Sequence, residues 1–447
     1  MTTLRVNVLP RAPPVLPLVA ALLSAWPAAA CLAKEASWQP VRPQTRSHAA
    51  AAISSVDNCN DAGAGSLRNA IEIADDPAII DMTALACSTI TLTTGKISTN
   101  IVDITLNGPT DHALTISGNH LNSVFLHSGG LTGTLTLDHL NIADGEVTGF
   151  VAYGGCIFTA GNLTLQNSTV SNCAANGMYP GRGGGVYVRK DLILNDSSVS
   201  DNHASSQTEQ AVGGGAYVIG TLTVNRATIR DNIAFSGGSI SIGGGVYVKG
   251  NVLTYATTIS GNQAQYAAGI YAFSNATVQN STISGNVAST AIGGMKVKGL
   301  LTLDNSTVAF NTQTRAGYGA GLVLLNGGIA NSSIIARNKP KGDGHYYDLL
   351  CTTGKTLAGN NNLINGADCI IPGSLIGGDP LLAPLANNGG PTKTHALGAG
   401  SPAIDEGSNP HDFLFDQRLA GHSRLVGAAA DVGAFEFDDA IFSNGFE

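Results

Sequence analysis

Two aspartates thirty residues apart, Asp201 and Asp231, hold equivalent places in successive copies of a repeated pattern, with His203 and Arg230 beside them. Paired carboxylates facing one sugar are what glycoside hydrolysis needs. A carboxylate cluster for calcium, or a base near a cation, is what polysaccharide lyase chemistry needs. The same position continues as Gly261, Gly285 and Phe310. The two acids therefore read as turn residues, for which Asp is an ordinary conformational choice. Asp343 and His345 fall in a loop, and one Asp/His pair alone does not make a metal site. His127 and His139 have no partner by spacing and read as structural. The chain carries no phosphate-loop or zinc signature. The expectation is a chain with no catalytic residue, no metal and no cofactor.

Aromatic spacing is the sharper signal. Phe158, Tyr187, Tyr217, Tyr247 and Tyr271 form one column. Each lies between apolar residues such as Val186 and Val188, so period-two alternation turns the rings away from the core. Five rings on successive rungs, about 4.8 Å apart, would form an exposed stripe suited to sugar faces or a partner surface. The competing reading is that the rings stack on one another for stability.

The element that must position these columns is a repeat. Between residues 154 and 338 a glycine cluster, an apolar strand, a second apolar strand, a Ser/Thr-rich strand and an asparagine recur seven times. One copy runs Gly183-Gly184-Gly185-Val186-Tyr187-Val188, Leu192-Ile193-Leu194, then Ser197 to Asn202. The asparagine column is Asn202, Asn232, Asn262, Asn286, Asn311 and Asn338, with steps of 30, 30, 24, 25 and 27 residues. Cys173 takes the same place one copy earlier. Gly, Thr, Val and Asn are poor helix formers. Each unit can bury its apolar face only against a neighbour. The pattern predicts an all-β, right-handed parallel β-helix of about ten turns, each coil built of three short strands and stacked at roughly 4.8 Å. The asparagines are expected to take the left-handed conformation of a tight turn and to hydrogen-bond along the rod. Sequons such as those at Asn167, Asn280 and Asn305 are products of the repeat and are discounted as glycosylation signals.

Arg5 and Arg11 precede an apolar stretch and Ala28-Ala29-Ala30, the layout of a signal peptide over residues 1–30. Cys31 follows directly and raises lipidation; Ala28, in place of leucine three positions earlier, favours plain secretion. Residues 31–52 read as a linker, and no later segment could span a membrane. Export makes the remaining six cysteines readable as disulfides. They fall into local pairs, Cys59 with Cys87, Cys156 with Cys173 and Cys351 with Cys369. Connectivity does not follow from sequence, but sequential pairing needs the least rearrangement; six free thiols are the alternative. Only 12% of residues are charged and the net charge is −8 with no basic run, which excludes nucleic acid as a partner. Ser66 should cap a short helix whose apolar face, Leu67, Ala70, Ile71 and Ala74, covers the first turn. The helical rod with this cap is expected over 53–338, an irregular C-terminal cap over 339–437 and a tail over 438–447.

The chain resembles exported bacterial right-handed β-helix proteins with a choice-of-anchor type C-terminal domain, and its repeats are similar to those of polymorphic outer membrane proteins. The carriers are Gly65-Ser66-Leu67-Arg68-Asn69-Ala70-Ile71, the Gly-Gly-x-aliphatic-Tyr strands and the Ser-Thr-Ile-Ser-Gly-Asn turns. Two C-terminal blocks add to them, Asp379 to Asp405 and Phe415 to Glu436. The resemblance implies export and display at the cell surface, with outer-membrane association, and no single chemistry. The expected function is therefore a monomeric, non-catalytic surface protein that binds polysaccharide or a surface protein through the solenoid. A polysaccharide lyase or glycoside hydrolase is the alternative, and a structural spacer the third reading. Carboxylates with Lys or Arg converging in one groove would favour the enzyme.

Overall fold

The computed structural model describes residues 51–314, 321–340, 347–373 and 375–438. The expected signal peptide, Asp343, His345 and all but the first residue of the tail lie outside them. The chain winds as a right-handed parallel β-helix whose strands pair only with the coils before and after. Four parallel sheets run along the rod, three of twelve strands and one of eleven.

One coil shows the design. Val186–Val188 belongs to sheet I, Leu192–Asn195 to sheet II, Ser198–Ser200 to sheet III and His203–Ser206 to sheet IV. Val186, Val188, Leu192, Leu194 and Val199 are fully buried in one continuous core, as alternation requires. Sheet IV is a correction to the three-strand expectation. Its inward residues include the buried Ala204, Ala234, Ala264 and Ala288, the last three of which pack with Ala268 as a small cluster of their own. Alanine among Ser, Gln and His leaves no apolar alternation to read.

Among the coils that carry the asparagine, length varies in one place. Sixteen positions separate Val186 from Asn202, Ala216 from Asn232, Ile270 from Asn286 and Leu322 from Asn338. From the asparagine to the next sheet I strand the chain takes fourteen positions after Asn202 but eight after Asn262. All the difference falls in sheet IV, where Gln263–Tyr266 alone pairs with both Ile233–Ser236 and Ser241–Ile242.

The asparagines are buried and zipped along the axis. Asn202 Nδ2 donates to Asn232 Oδ1 at 2.9 Å, Asn232 to Asn262 at 3.0 Å and Asn262 to Asn286 at 2.9 Å. Each also donates to a backbone carbonyl of the preceding coil, as Asn232 does to Val199. The left-handed residue is not the asparagine but the one before it: Asp201, Asp231, Gly261, Gly285, Phe310 and Arg337 have φ from 54° to 68°. The turn thus aims the asparagine inward, where its amide replaces backbone partners. Cys173 sits in this column, its N–H donating to Asn202 Oδ1. At the other end Asn338 donates to Asp348 through its backbone N–H, 2.6 Å, and its side chain, 3.0 Å.

Ser66 caps the helix Leu67–Glu72 by accepting from Asn69, and Leu67, Ala70 and Ile71 are buried beneath it. The three expected disulfides form: Cys59–Cys87, Cys156–Cys173 and Cys351–Cys369. Such bridges indicate an oxidising compartment. Among the described residues no helix is long and apolar enough to cross a membrane.

Strand pairing continues past Asn338 to Leu375–Ile376. Residues 377–438 follow it. They fold back along the side of the rod and lie on the outer face of sheet III. Leu382, Leu397, Val432 and Phe435 pack there against Ala309, Ile334 and Ala336. Asn280, Asn305 and Asn361, at left-handed turns between sheets II and III, donate to the carbonyls of Phe415, Ser408 and Glu406. Asn280 and Asn305, set aside above as sequons, serve this contact.

Candidate functional site: a cleft between sheet III and the C-terminal segment

The outward positions of sheet III carry hydroxyls on successive coils: Thr169, Ser198, Thr228, Thr258, Thr282 and Thr307. The C-terminal segment covers the last three. Thr258 Oγ1 donates to the Lys393 carbonyl at 2.5 Å, Thr282 to Gln417 Oε1 at 2.6 Å, and Thr307 accepts from the Ala434 N–H at 3.1 Å. Thr169, Ser198 and Thr228 remain half-open. They floor a cleft of about 1060 Å³, whose far wall is built by Leu382, Pro384, Leu385 and Pro391 to Lys393.

Charged pairs rim this floor. Arg226 Nε donates to Asp196 at 2.8 Å. Arg230 reaches Asp231 at 2.7 Å and Asp201 at 3.5 Å. Arg337 Nε donates to Asp379 at 2.8 Å. These bonds raise the Arg226 guanidinium above its ordinary range and hold the Asp379 carboxyl below the usual carboxylate range. Arg226, Phe310 and Arg337 line the cleft with φ of 49°, 55° and 57°, at turns where other coils use Asp, Asn or Gly. A bulky residue in that region costs energy, and such strain clusters at functional sites.

His395 lines the inner wall. Its Nδ1 donates to the Ala383 carbonyl and its Nε2 accepts from Ser284 Oγ, both at 2.7 Å. Burial pushes its pKa below the usual histidine range, so the imidazole is neutral and ties the segment to sheet III. A smaller cavity of about 490 Å³ continues past Arg337 to Lys339, Asp348 and Asn365.

Asp201 and Asp231 do converge on Arg230, and Asp196 and Asp231 share the lining of one groove with Arg226, Arg230, Arg337 and Lys393. That arrangement was the mark set for the enzyme reading. His203 stands on the neighbouring sheet and burial lowers its pKa. His127 is buried between Thr159 and the Ile101 carbonyl, and His139 pairs with Asp138. Among the described residues no group of His, Cys, Asp and Glu is placed to hold a metal ion.

The aromatic column stacks as expected, in register, but the exposed stripe is a correction. Centroids are 5.0–5.2 Å apart from Phe158 through Tyr187, Tyr217 and Tyr247 to Tyr271, with planes within 8°. The rings point away from the core, yet Tyr187, Tyr217 and Tyr271 are only 7%, 3% and 6% exposed. Val212 and Ile242 from sheet IV pack over them, and Arg182 and Lys249 lie across Tyr217. Their faces are spent on each other. Burial pushes the Tyr247 phenol up to about 12. The sequence missed the cleft because its floor at Thr169, Ser198 and Thr228 lies 154 or more residues before the far wall that begins at Leu382, and the C-terminal wall follows no repeat.

No family model matches the chain, and no curated protein matches it. A crystal structure of the pectate lyase Pel9A aligns with a TM-score of 0.46 at 13% identity, covering 86% of this chain and 96% of that one.

Proposed function

We propose that this is an exported β-helix protein that binds glycan in the cleft between sheet III and the C-terminal segment. The observation that carries the reading is the floor itself. Half-open hydroxyls on Ser198 and Thr228, with Thr169 beside them bonded to Asn141, lie next to Arg–Asp pairs, opposite a wall holding Leu382, Pro384 and Leu385. A hydroxyl both donates and accepts, and an Arg–Asp pair offers donors and acceptors side by side. Sugars have polar edges and apolar faces, and the cleft presents both kinds of surface. The aromatic column, first choice from sequence, becomes an internal brace in this reading. Display at a bacterial surface belongs to the same proposal and rests on the residues of the N-terminal stretch and on the disulfides.

A second reading, hydrolysis or elimination at the same cleft, is favoured by the convergence of Asp201, Asp231 and Arg230. Against it stands the pairing of the acids with arginine. Arg337 holds Asp379 low, the reverse of what a general acid requires. Titration of the mature chain with an oligosaccharide panel, alongside reducing-sugar and unsaturated-product assays, decides between them. Saturable binding without product, lost in Arg230→Ala, supports the binding reading. Turnover supports the enzyme, and binding unchanged in Arg230→Ala removes the cleft from either.

A further inference from the structure

We infer that the cleft selects an uncharged polysaccharide chain and disfavours an acidic one; the inference rests on the glycan-binding reading above. Four cations face the site, Arg226, Arg230, Arg337 and Lys393. Four carboxylates are bonded to the three arginines: Asp196, Asp201, Asp231 and Asp379. His395 is neutral. The local charge is balanced.

Exposure decides which partner a ligand meets. Arg226 and Asp196 are equally open, at 36% and 34%. Arg230 is 44% exposed against 50% for Asp201 and 49% for Asp231. Arg337 is 33% exposed against 50% for Asp379. In two of the three groups the carboxylates stand further into solvent than the guanidinium. An incoming uronate or sulfate would meet Asp196 and Asp231 on the cleft lining and, at each arginine, would have to compete with a bonded carboxylate. Like charges brought together in a partly desolvated groove are repelled more strongly than in bulk water.

The covered half of the floor shows what its hydroxyls accept. Thr258, Thr282 and Thr307 bond a peptide carbonyl, a side-chain amide and a peptide N–H, all neutral groups. Thr169 repeats that chemistry by donating to Asn141 Oδ1 at 2.7 Å, and the half-open hydroxyls of Ser198 and Thr228 continue it at the rung spacing, which suits the hydroxyls of a neutral sugar chain lying along the rod. An extended peptide would want apolar anchors in the floor, and these three positions supply none.

The test compares matched neutral, uronate and sulfated oligosaccharides, with an unstructured peptide as control, at low and high salt. Neutral ligands should bind best, with affinity changing less than about twofold across the salt range, because screening acts on net charge. Asp201→Asn with Asp231→Asn frees Arg230 and should raise the ratio of uronate to neutral affinity several-fold. Preferential, salt-sensitive binding of uronates by the parent chain overturns the inference and leaves glycan binding standing. Binding of the peptide alone, or of no glycan, overturns glycan binding and the inference with it.

Discussion

A Cβ at Gly185 would stand 2.9 Å from Cγ of Asn202, so the amide of one residue fills the room that the other leaves empty. The relation recurs between Gly215 and Asn232, Gly245 and Asn262, and Gly294 and Asn311, at 2.9–3.1 Å. One coil breaks it. There Cys156 stands in the glycine column and Cys173 in the asparagine column, joined by a disulfide with Cα atoms 5.4 Å apart. The bridge is a covalent version of the same contact.

Gly215→Ala should destabilise the rod, because its Cβ would also lie 2.7 Å from the Gly245 carbonyl oxygen; overpacking of this kind costs about 1–3 kcal/mol. Asn232→Ala should cost about 2–4 kcal/mol, since it strands buried partners at Asn202 and Val199. The double variant should cost clearly less than the sum, because the alanine then occupies the vacated amide site. Denaturant unfolding of the four proteins measures the coupling, and strict additivity would refute the shared slot.

Replacing Cys156 and Cys173 by alanine should cost about 3 kcal/mol for a loop of this size. Cys156→Gly with Cys173→Asn should recover part of that loss, because the new asparagine can donate to Asn202 Oδ1 and extend the ladder. Thermal unfolding with and without reductant separates the cases. A Gly/Asn variant no more stable than the double alanine would show that the coil needs the covalent bond itself.

Asp348 closes the ladder, and burial pushes its carboxyl up to about 6 from 3.8. The folded state therefore holds the proton more tightly than the unfolded chain. The stability that this supplies is fully present below pH 3.8 and is lost as pH rises through about 6. Asp348→Asn mimics the protonated form. It should match the parent near pH 3.5 and exceed it by on the order of 2–3 kcal/mol at pH 8. Parallel pH–stability curves for the two proteins would refute the assignment.

Tyr217→Ala should destabilise by about 2–4 kcal/mol, because it opens a gap between two stacked rings and under Arg182. Binding at the cleft should be unchanged in the folded fraction. A variant of parental stability would return the rings to the surface role first read from their spacing.

Much that is local to one coil could be read from the sequence. The asparagine ladder and the glycine column follow from residue type at a recurring place in the repeat, the Ser66 cap from its residue type ahead of an apolar face, and the cysteine pairs from proximity along the chain; which turn residue is left-handed did not follow. Inward and outward faces on sheets I and II also followed, because Val186, Val188, Leu192 and Leu194 alternate cleanly. Sheet IV was silent because its inward residues are alanine. The tyrosines were placed on the right face, but their covering comes from Val212, Ile242 and Arg182, whose neighbourhood only the fold creates. The cleft was hidden for the same reason. Gln417 meets Thr258 and Thr282 across 159 and 135 residues, and a polar side chain announces no such partner.

In the asparagine coils the fixed sixteen-position path from sheet I to the asparagine gives the molecule one flank of constant length and one of variable length. The hydroxyls of the cleft floor, the charged pairs bordering sheet III and the asparagine slot all sit on or beside the constant path. Residues 207–210 and 237–240 sit where the chain already grows and shrinks from coil to coil. Foreign loops grafted there would ride on the rod without altering the register of a single rung, which makes this edge the natural place for the protein to diversify and for an engineer to load cargo.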